Sequence, residues 1–195
     1  MPDEKIQPIV LVGGRSRRFG RDKLFEPLSD GILVERPIRA LRDAFGPVIA
    51  LVGECDIGLR PLGDLAIPDC YPGRGPAGGI LSALEFVATR DGPAGSVFVL
   101  AGDLPQVQRS LLRRILDRAR SEPDAPAIVA QTARGLEPCI GIYRQTAAAA
   151  LRASIAGESN AALPLHHVLD GLGTIGVDAS DAETVNVNRP GDLTG

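Results

Sequence analysis

The segment Val12–Lys23 combines the residue types that proteins use to bind phosphate groups. Its twelve positions hold three glycines, four arginines and one lysine. Glycines allow close backbone approach and expose N–H groups that bind anions, guanidinium groups bind phosphate oxygens through paired hydrogen bonds, and Lys23 adds a mobile point charge. The segment therefore predicts a triphosphate site, and a solvated basic turn is the alternative interpretation.

The spacing in this segment differs from that of two common nucleotide-binding loops. In the P-loop, four residues separate two glycines and Lys-Ser/Thr follows the second one. Here Gly14 and Gly20 are too far apart, and Arg21 and Asp22 follow Gly20. The pattern G-x-G-x-x-G does not fit either. The predicted phosphate site is therefore of another type.

Two apolar runs can position this loop and a carboxylate at the same edge of a sheet. Ile9–Val12 is stopped by Gly13, and Ser96–Leu100 is followed by Asp103 with two residues between them. Ligands of open α/β sheets bind beyond the carboxyl ends of strands. We therefore expect Gly13 and Asp103 to share one site, where the carboxylate suits the Mg²⁺ of a nucleoside triphosphate. A helix cap or turn is the alternative for Asp103.

Strand and helix patterns alternate along the chain, which predicts an α/β fold with a mainly parallel sheet. The length of 195 residues predicts a single domain over residues 1–195. The predicted later strands are Val48–Val52, Ser96–Leu100, Ala127–Ala130, Ile140–Tyr143, Thr174–Val177 and Val185–Val187. The predicted helices contain Val34 to Phe45, Ile80 to Val87, Leu111 to Leu116 and Ala147 to Ile155.

Composition excludes several functional classes. Hydrophobic residues make up 44% of the sequence and charged residues 23%, which is typical of a globular protein. The net charge of −3 argues against a nucleic-acid partner. Three widely spaced cysteines indicate neither a disulfide framework nor a zinc site. Without a signal peptide or a membrane-spanning run in the sequence, we expect a cytoplasmic protein with no membrane partner.

The first segment resembles a known family. Leu11–Lys23 matches the signature L-x-G-G-x-S-x-R-[MF]-G-x-D-K of the molybdenum cofactor guanylyltransferase (MobA-type) family of NTP transferases. In that family Gly-Gly, here at positions 13 and 14, accompanies guanine nucleotides, whereas cytidylyl relatives usually carry Ala-Gly. The resemblance implies catalytic roles for Arg18, Lys23 and Asp103. It implies nucleotide binding by Leu11, Val12, Gly13, Gly14, Ser16, Arg18, Gly20 and Lys23.

Two further segments resemble family motifs on the nucleotide side. Residues 69–80 resemble D-x-x-x-G-x-G-P-L-A-G, which implies that Asp69, Gly75 and Pro76 contact the nucleotide. A tight strand-to-helix turn is the alternative there. Residues 97–105 resemble the strand that ends in C-D-x-P, although Ala and Gly precede Asp103. The resemblance makes Asp103 both the metal ligand and a nucleotide contact.

Two late segments resemble the acceptor side of the family. Residues 137–143 resemble the strand H-P-L-x-x-x-Y, and residues 185–193 resemble N-x-N-x-P-x-D-L. The resemblance implies that Gly78, Asn186 and Asn188 contact the acceptor, whereas on residues alone a C-terminal turn is favoured. Three groups of residues are assigned no catalytic role: His166 and His167, Tyr71 and Tyr143, and the arginines at positions 113–120.

The resemblance as a whole implies a Rossmann-like three-layer fold of the nucleotide-diphospho-sugar transferase type. It implies transfer of GMP from Mg·GTP to molybdopterin phosphate with release of pyrophosphate. Mg²⁺ is the expected cofactor, GTP and molybdopterin are the expected substrates, and transient contacts with proteins that supply the cofactor, or with molybdoenzymes, are expected. Three alternatives stay open: a molybdopterin cytidylyltransferase, a transferase for another small phosphate, and a catalytically silent nucleotide-binding adaptor.

Overall fold

The structure is a computed structural model that describes residues 5–13, 23–54, 57–156 and 164–187. The strands are β1 (Lys5–Leu11), β2 (Pro27–Leu28), β3 (Gly31–Ile32), β4 (Ala50–Val52), β5 (Leu65–Ile67), β6 (Gly95–Ala101), β7 (Ala127–Thr132), β8 (Gly135–Arg144) and β9 (Ile175–Asp178). The α-helices are α1 (Glu35–Phe45), α2 (Gly75–Asp91), α3 (Arg109–Ser121), α4 (Ala148–Ile155), α5 (Leu165–Gly171) and α6 (Asp181–Thr184).

Seven strands form one mixed sheet in the order β5-β4-β1-β6-β8-β7-β9. β5, β4, β1 and β6 run parallel to one another. β8 is antiparallel to both β6 and β7, and β9 is parallel to β7. β2 and β3 form a separate small hairpin. The predicted α/β fold with a mainly parallel, mixed sheet is confirmed.

Helices cover both faces of this sheet because successive strand residues point to opposite faces. In β6, Phe98 and Leu100 join the core that includes residues of α1 and α3. Val97 and Val99 join the other core, which includes residues of α2, α4 and α5. All four side chains are fully buried. The continuous apolar run of β6 is therefore that of a strand buried on both faces, and the architecture has three layers.

Most predicted elements are present, but several begin at other residues. β1 begins at Lys5 rather than at Ile9. α2 begins at Gly75, because proline is tolerated in the first turn of a helix and so does not delay its start. Val48 was predicted to start a strand, but its side chain is 51% exposed and β4 begins at Ala50. None of the described helices combines the length and the apolar character that a bilayer crossing needs.

The predicted strand at Val185–Val187 was wrong. These residues follow α6 without regular secondary structure. The N–H of Val187 donates a hydrogen bond of 3.0 Å to the carbonyl of Asp103, which lies beyond the end of β6. The segment therefore contacts the edge of the sheet at this point instead of forming a ladder with a strand. Alternation over three residues is too short to distinguish these arrangements.

Candidate functional site

The C-terminal ends of β1 and β6 bring the first and third motifs together. Leu11 pairs with Ala101 in parallel register. Just beyond this pair, the N–H of Gly102 donates to the carbonyl of Leu11 at 3.0 Å. Gly13 and Asp103 therefore follow adjacent strand ends, which confirms that they converge at one edge of the sheet. Open α/β sheets bind their ligands at such an edge.

Lys23 and Asp103 form an ion pair at this edge. Nζ of Lys23 donates to Oδ2 of Asp103 at 2.5 Å and to the carbonyl of Val187 at 3.1 Å. The side chains of Lys23 and Asp103 are 20% and 15% exposed, so a ligand can reach both. The site thus offers the two charges that a metal–triphosphate complex requires: a cation for phosphate oxygens and a carboxylate for the metal.

Gly53 allows the turn after β4 to pack against the turn after β1. Its φ is +120°, and a Cβ at Gly53 would lie 2.6 Å from the nitrogen of Gly13 and 2.7 Å from its Cα. The N–H of Val12 donates to the carbonyl of Val52 at 2.9 Å, and the N–H of Gly53 donates to the carbonyl of Ile67 at 3.1 Å. These contacts fix Gly13, which begins the predicted phosphate-binding loop.

We expect Gly53→Ala to destabilise the fold more than a substitution at an ordinary positive-φ glycine. Left-handed backbone alone costs a non-glycine residue about 1–2 kcal/mol. The added Cβ would also overlap the backbone of Gly13, which cannot rotate away, so we expect a total loss of about 3 kcal/mol in the free energy of unfolding. Urea denaturation measures this loss.

Gly46→Ala is the matched control for this prediction. Gly46 also has a positive φ, of 95°, but nothing lies within 4 Å of its added Cβ. We expect this variant to lose about 1–2 kcal/mol, less than Gly53→Ala. Equal losses in the two variants would contradict the steric role of Gly53.

The second motif forms a turn that Asp69 and Ser82 hold in place. Oδ1 of Asp69 accepts a hydrogen bond from the N–H of Tyr71 at 2.8 Å. The Ser82 hydroxyl donates to the carbonyl of Gly78 at 2.9 Å and accepts from the N–H of Cys70 at 3.0 Å. Gly78 is buried, and a Cβ there would lie 2.8 Å from the Tyr71 carbonyl. A nucleoside contact by Asp69 and an acceptor contact by Gly78 stay predictions.

The other predicted site residues fall into two groups. Gly75 and Pro76 are exposed in the first turn of α2, and Asn186 is exposed beside the ion pair. Val12 is only 3% exposed, and its N–H already donates to the carbonyl of Val52. The roles of these residues stay predictions. The following predicted residues lie outside the part of the chain that the structure describes: Gly14, Ser16, Arg18, Gly20 and Asn188.

A bulge in β8 carries the first residues of the fourth motif. The pairing of β7 with β8 loses its regular register between Val129 and Ala130, and Ala130 pairs with Glu137. The hydroxyl of the fully buried Tyr143 donates to the carbonyl of Pro138 at 2.6 Å. Burial raises the pKa of Tyr143 well above its usual range, so this hydroxyl stays a donor. Bulges near functional sites redirect side chains. The buried Tyr143 holds this bulge in place through its hydrogen bond to Pro138.

A groove of about 630 Å³ opens beside this bulge. Burial, together with the negative charges of Asp103 and Glu137, raises the pKa of the Cys139 thiol to about 12. The thiol is therefore neutral. Asn186 connects the groove to the ion pair, since it precedes Val187, whose carbonyl accepts from Lys23. The polar residues that line the groove are Arg134, Glu137, His166, Asp170, Thr184 and Asn186.

Several residues that were assigned no catalytic role behave as structural or surface residues. The Tyr71 hydroxyl donates to Oε1 of Glu85 at 2.8 Å. Three arginines of α3 form ion pairs on the surface: Arg114, Arg118 and Arg120. His166 and His167 are exposed in the first turn of α5. His166 also lines the groove, a placement that was not predicted.

The described residues contain no group of three or more His, Cys, Asp or Glu side chains that could hold a metal ion. Asp103 offers one carboxylate, with the Lys23 ammonium beside it. Mg²⁺ is commonly held by one or two carboxylates, with water and substrate phosphates as its other ligands. The site therefore fits a divalent metal that arrives with a triphosphate better than one bound by the protein alone.

Comparison with known proteins identifies the family. Residues 8–170 match the family described as the MobA-like NTP transferase domain. The chain belongs to this family. The match includes Lys23, Asp69, Asp103, the strands β4, β5 and β6, and β1 from Pro8 onward. It confirms the resemblance seen in the sequence and the prediction of a nucleotidyltransferase.

Two curated relatives of this MobA-like transferase carry related names. A "probable molybdenum cofactor guanylyltransferase" from Opitutus terrae is 31% identical over 134 residues, which are 69% of this chain and 64% of the relative. A "molybdenum cofactor guanylyltransferase" from Nitrobacter hamburgensis is 32% identical over 143 residues, which are 70% of this chain and 66% of the relative. The aligned part therefore spans slightly less than two thirds of each relative.

A solved structure agrees with the fold of this MobA-like transferase. Molybdopterin-guanine dinucleotide biosynthesis protein A from Archaeoglobus fulgidus superposes with a TM-score of 0.72 at 23% identity. The superposition covers 96% of this chain and 94% of the other. The predicted nucleotide-diphospho-sugar transferase type of fold is therefore confirmed.

Sequence reasoning missed three parts of the site in this MobA-like transferase. Gly53 and the carbonyl of Val187 gave no signal, because their roles come from contacts with distant segments. The groove also combines separate segments. Gly102 could have been found from the sequence, because a glycine directly before Asp103 indicates close packing. A Cβ at Gly102 would lie 2.9 Å from Cδ2 of Leu24 and 3.1 Å from the carbonyl of Leu11.

Proposed function

We propose that this chain transfers GMP from Mg·GTP to the phosphate of molybdopterin and releases pyrophosphate. The observation that carries the proposal is the Lys23–Asp103 pair at the adjacent ends of β1 and β6. The names of the two relatives indicate that the transferred group is guanylyl and that the acceptor is the molybdenum cofactor. We also propose that residues 1–195 form one domain and that the protein works in the cytoplasm, where thiols such as Cys70 and Cys139 stay free.

The proposed reaction needs positioning and charge neutralisation rather than a protein nucleophile. An oxygen of the acceptor phosphate attacks the α-phosphorus of GTP and forms a new P–O bond. The bond from the α-phosphorus to the bridging oxygen breaks, and pyrophosphate leaves with the electron pair. Lys23 releases Asp103 and contacts the phosphates, together with Arg18 and the backbone from Gly13 onward.

Asp103 is the residue that would hold Mg²⁺ in this reaction. When bound, Mg²⁺ neutralises negative charge on the triphosphate as it builds up on the leaving group. In the structure, Nζ of Lys23 donates to Oδ2 of Asp103 at 2.5 Å, so an Mg²⁺ ion held by this carboxylate would compete with the Lys23 ammonium. Either cation would balance the partly buried negative charge of Asp103.

A pyrophosphate-release assay with molybdopterin, Mg²⁺ and each of the four nucleoside triphosphates tests the proposal. We expect kcat/KM for GTP to exceed that for CTP by at least about 100-fold. Release without molybdopterin is the blank. Turnover with CTP and none with GTP would contradict the guanylyl assignment and identify a cytidylyltransferase.

The same assay with sugar 1-phosphates separates the remaining alternatives. Faster release with a sugar phosphate than with molybdopterin would identify a different acceptor. GTP binding in a thermal-shift experiment, without turnover over any acceptor, would identify a silent nucleotide-binding protein. We expect neither result, because a silent protein would not need to keep both charges of the Lys23–Asp103 pair accessible.

A further inference from the structure

The groove beside the β8 bulge lies on the other side of β6 from the nucleotide loops. β8 neighbours β6 on one side, whereas β1, β4 and β5 lie on the other side of β6. The turns that contain Gly13 and Gly53, and the turn that leads into α2 at Gly75, follow β1, β4 and β5. Asp103 follows β6 and therefore lies between these loops and the groove.

An acceptor must attack the α-phosphorus roughly in line with the leaving pyrophosphate. It therefore enters from the side that the triphosphate does not occupy, which is the side of the groove. The groove volume of about 630 Å³ is within the range of sites for small organic ligands. Asn186 lines the groove one residue before Val187, whose carbonyl accepts from Lys23, so a ligand there could extend toward the reacting phosphate.

Glu137 presents a fixed carboxylate in this groove. Its Oε1 accepts from the Thr132 hydroxyl and from Nη2 of Arg134, each at 3.3 Å. Arg134 also donates to Oγ1 of Thr184 at 3.2 Å, which ties the three segments together. The Glu137 side chain is 22% exposed. Among the residues that the structure describes, Oε2 of Glu137 has no hydrogen-bond partner, so this oxygen can accept from a ligand.

The surroundings of Glu137 favour a neutral hydrogen-bond donor over a cation. Arg134 already balances the carboxylate charge, and a carboxylate oxygen accepts two hydrogen bonds. Two N–H groups that neighbour each other in one plane can both donate to Oε2. A 2-amino-4-oxo ring has this pattern in its amino group and adjacent ring N–H. Asp170, the other carboxylate of the groove, lies exposed on α5 without an anchoring bond from a described residue.

We propose that Glu137 determines acceptor specificity by accepting hydrogen bonds from the 2-amino group and ring N–H of a 2-amino-4-oxo heterocycle bound in the groove. This inference rests on the proposed function, because that function brings a pterin acceptor to this side of Asp103. Arg134 and Thr132 are positioning residues that orient the Glu137 carboxylate.

Binding of two simple probes to the full chain tests the inference without GTP or turnover. The probes are 2-amino-4-oxopteridine and 2,4-dioxopteridine, which differ in the 2-substituent, and fluorescence titration measures their Kd. We expect the native protein to bind the 2-amino compound about tenfold or more tightly. We expect Glu137→Gln to reduce this preference to about twofold or less, because the amide replaces one acceptor oxygen by a donor.

Two carboxylate variants serve as controls. Asp170→Asn alters the other acid of the groove, and Glu122→Gln alters a surface acid that pairs with Arg118 at 3.2 Å. Glu122→Gln should keep the native preference, and Asp170→Asn should keep a larger preference than Glu137→Gln. No preference in the native protein, or a loss in Asp170→Asn but not in Glu137→Gln, would overturn the inference. A lower Tm of Glu137→Gln with an unchanged preference would also overturn it, since Glu137 would then be a structural residue.

Kinetics separate this inference from the proposed function. In Glu137→Gln, we expect KM for molybdopterin to rise at least about tenfold, while KM for GTP and kcat stay within about twofold of native. A rise in KM for GTP alone would overturn the assignment to the acceptor. If molybdopterin accepts no GMP, the proposed function fails, yet the probe titration still decides whether Glu137 selects the 2-amino ring.

Discussion

Asp103→Asn is expected to lower kcat for GMP transfer by about 1000-fold. Asparagine keeps the size of the side chain and removes the negative charge that would hold Mg²⁺ beside the triphosphate. The fold should survive, because Asp103 is 15% exposed and its backbone carbonyl keeps the bond from Val187. Pyrophosphate release at saturating GTP and molybdopterin measures the effect, and a thermal melt verifies folding.

Asp117→Asn is the matched control for this variant. Asp117 is 70% exposed on α3 and pairs only with the exposed Arg120 among the described residues. We expect its kcat to stay within about twofold of native, since exposed ion pairs contribute little. A folded Asp103→Asn variant with near-native kcat would rule out Asp103 as the metal ligand. Titration with Mn²⁺, followed by electron paramagnetic resonance, should show weaker binding in Asp103→Asn.

Lys23→Met is expected to lower kcat/KM for GTP by about 100-fold or more. Methionine is about as long as lysine without its charge, so the variant loses the ammonium that contacts the phosphates. The same change should strengthen the binding of Mn²⁺ in the absence of nucleotide, because Nζ of Lys23 no longer competes for Oδ2 of Asp103 at 2.5 Å. Lys23→Met and Asp103→Asn should therefore shift metal affinity in opposite directions.

Lys5→Met is the matched control for the lysine variant. Lys5 begins β1 at the far end of the strand from the site, is 70% exposed, and pairs with Asp91 at 3.4 Å. Its removal should leave kcat/KM and metal affinity unchanged. Weaker Mn²⁺ binding in Lys23→Met would contradict the competition of the two cations for Asp103, even if activity fell as expected.

Local patterns predicted the fold class well because burial on both faces requires continuous apolar strands. The run at Val97 to Leu100 could only be a central strand or a buried helix segment, and glycines nearby favoured the strand. The helix after Gly75 was predicted to start later, since proline and glycine usually mark turns. Short elements such as β5 and α6 lacked a pattern long enough to recognise. The alternation at Val185–Val187 wrongly predicted a strand, because a pattern of three residues is too short to be reliable.

The nucleotide side of the site was accessible from the sequence because its chemistry is local. A glycine-rich and arginine-rich loop after a buried strand indicates phosphate binding through its own backbone and side chains. Asp103 was predicted as a site residue because it is a carboxylate just beyond the end of a strand, where ligands of α/β sheets bind. The parallel register of β1 and β6 then brought the two motifs together, as sheet geometry requires.

The acceptor side was decided by tertiary structure. Glu137 was noted only as the first residue of a motif. No local feature indicated that Thr132 and Arg134 would orient its carboxylate, or that residues 184–186 would line the groove. Gly53 is similar. A side chain is excluded there by the backbone of Gly13, which belongs to the turn after the neighbouring strand β1. The sequence by itself determined the α/β class and the phosphate-binding chemistry, because both depend on neighbouring residues. Only the tertiary structure decided what the groove can select, because that depends on distances between segments far apart in the chain.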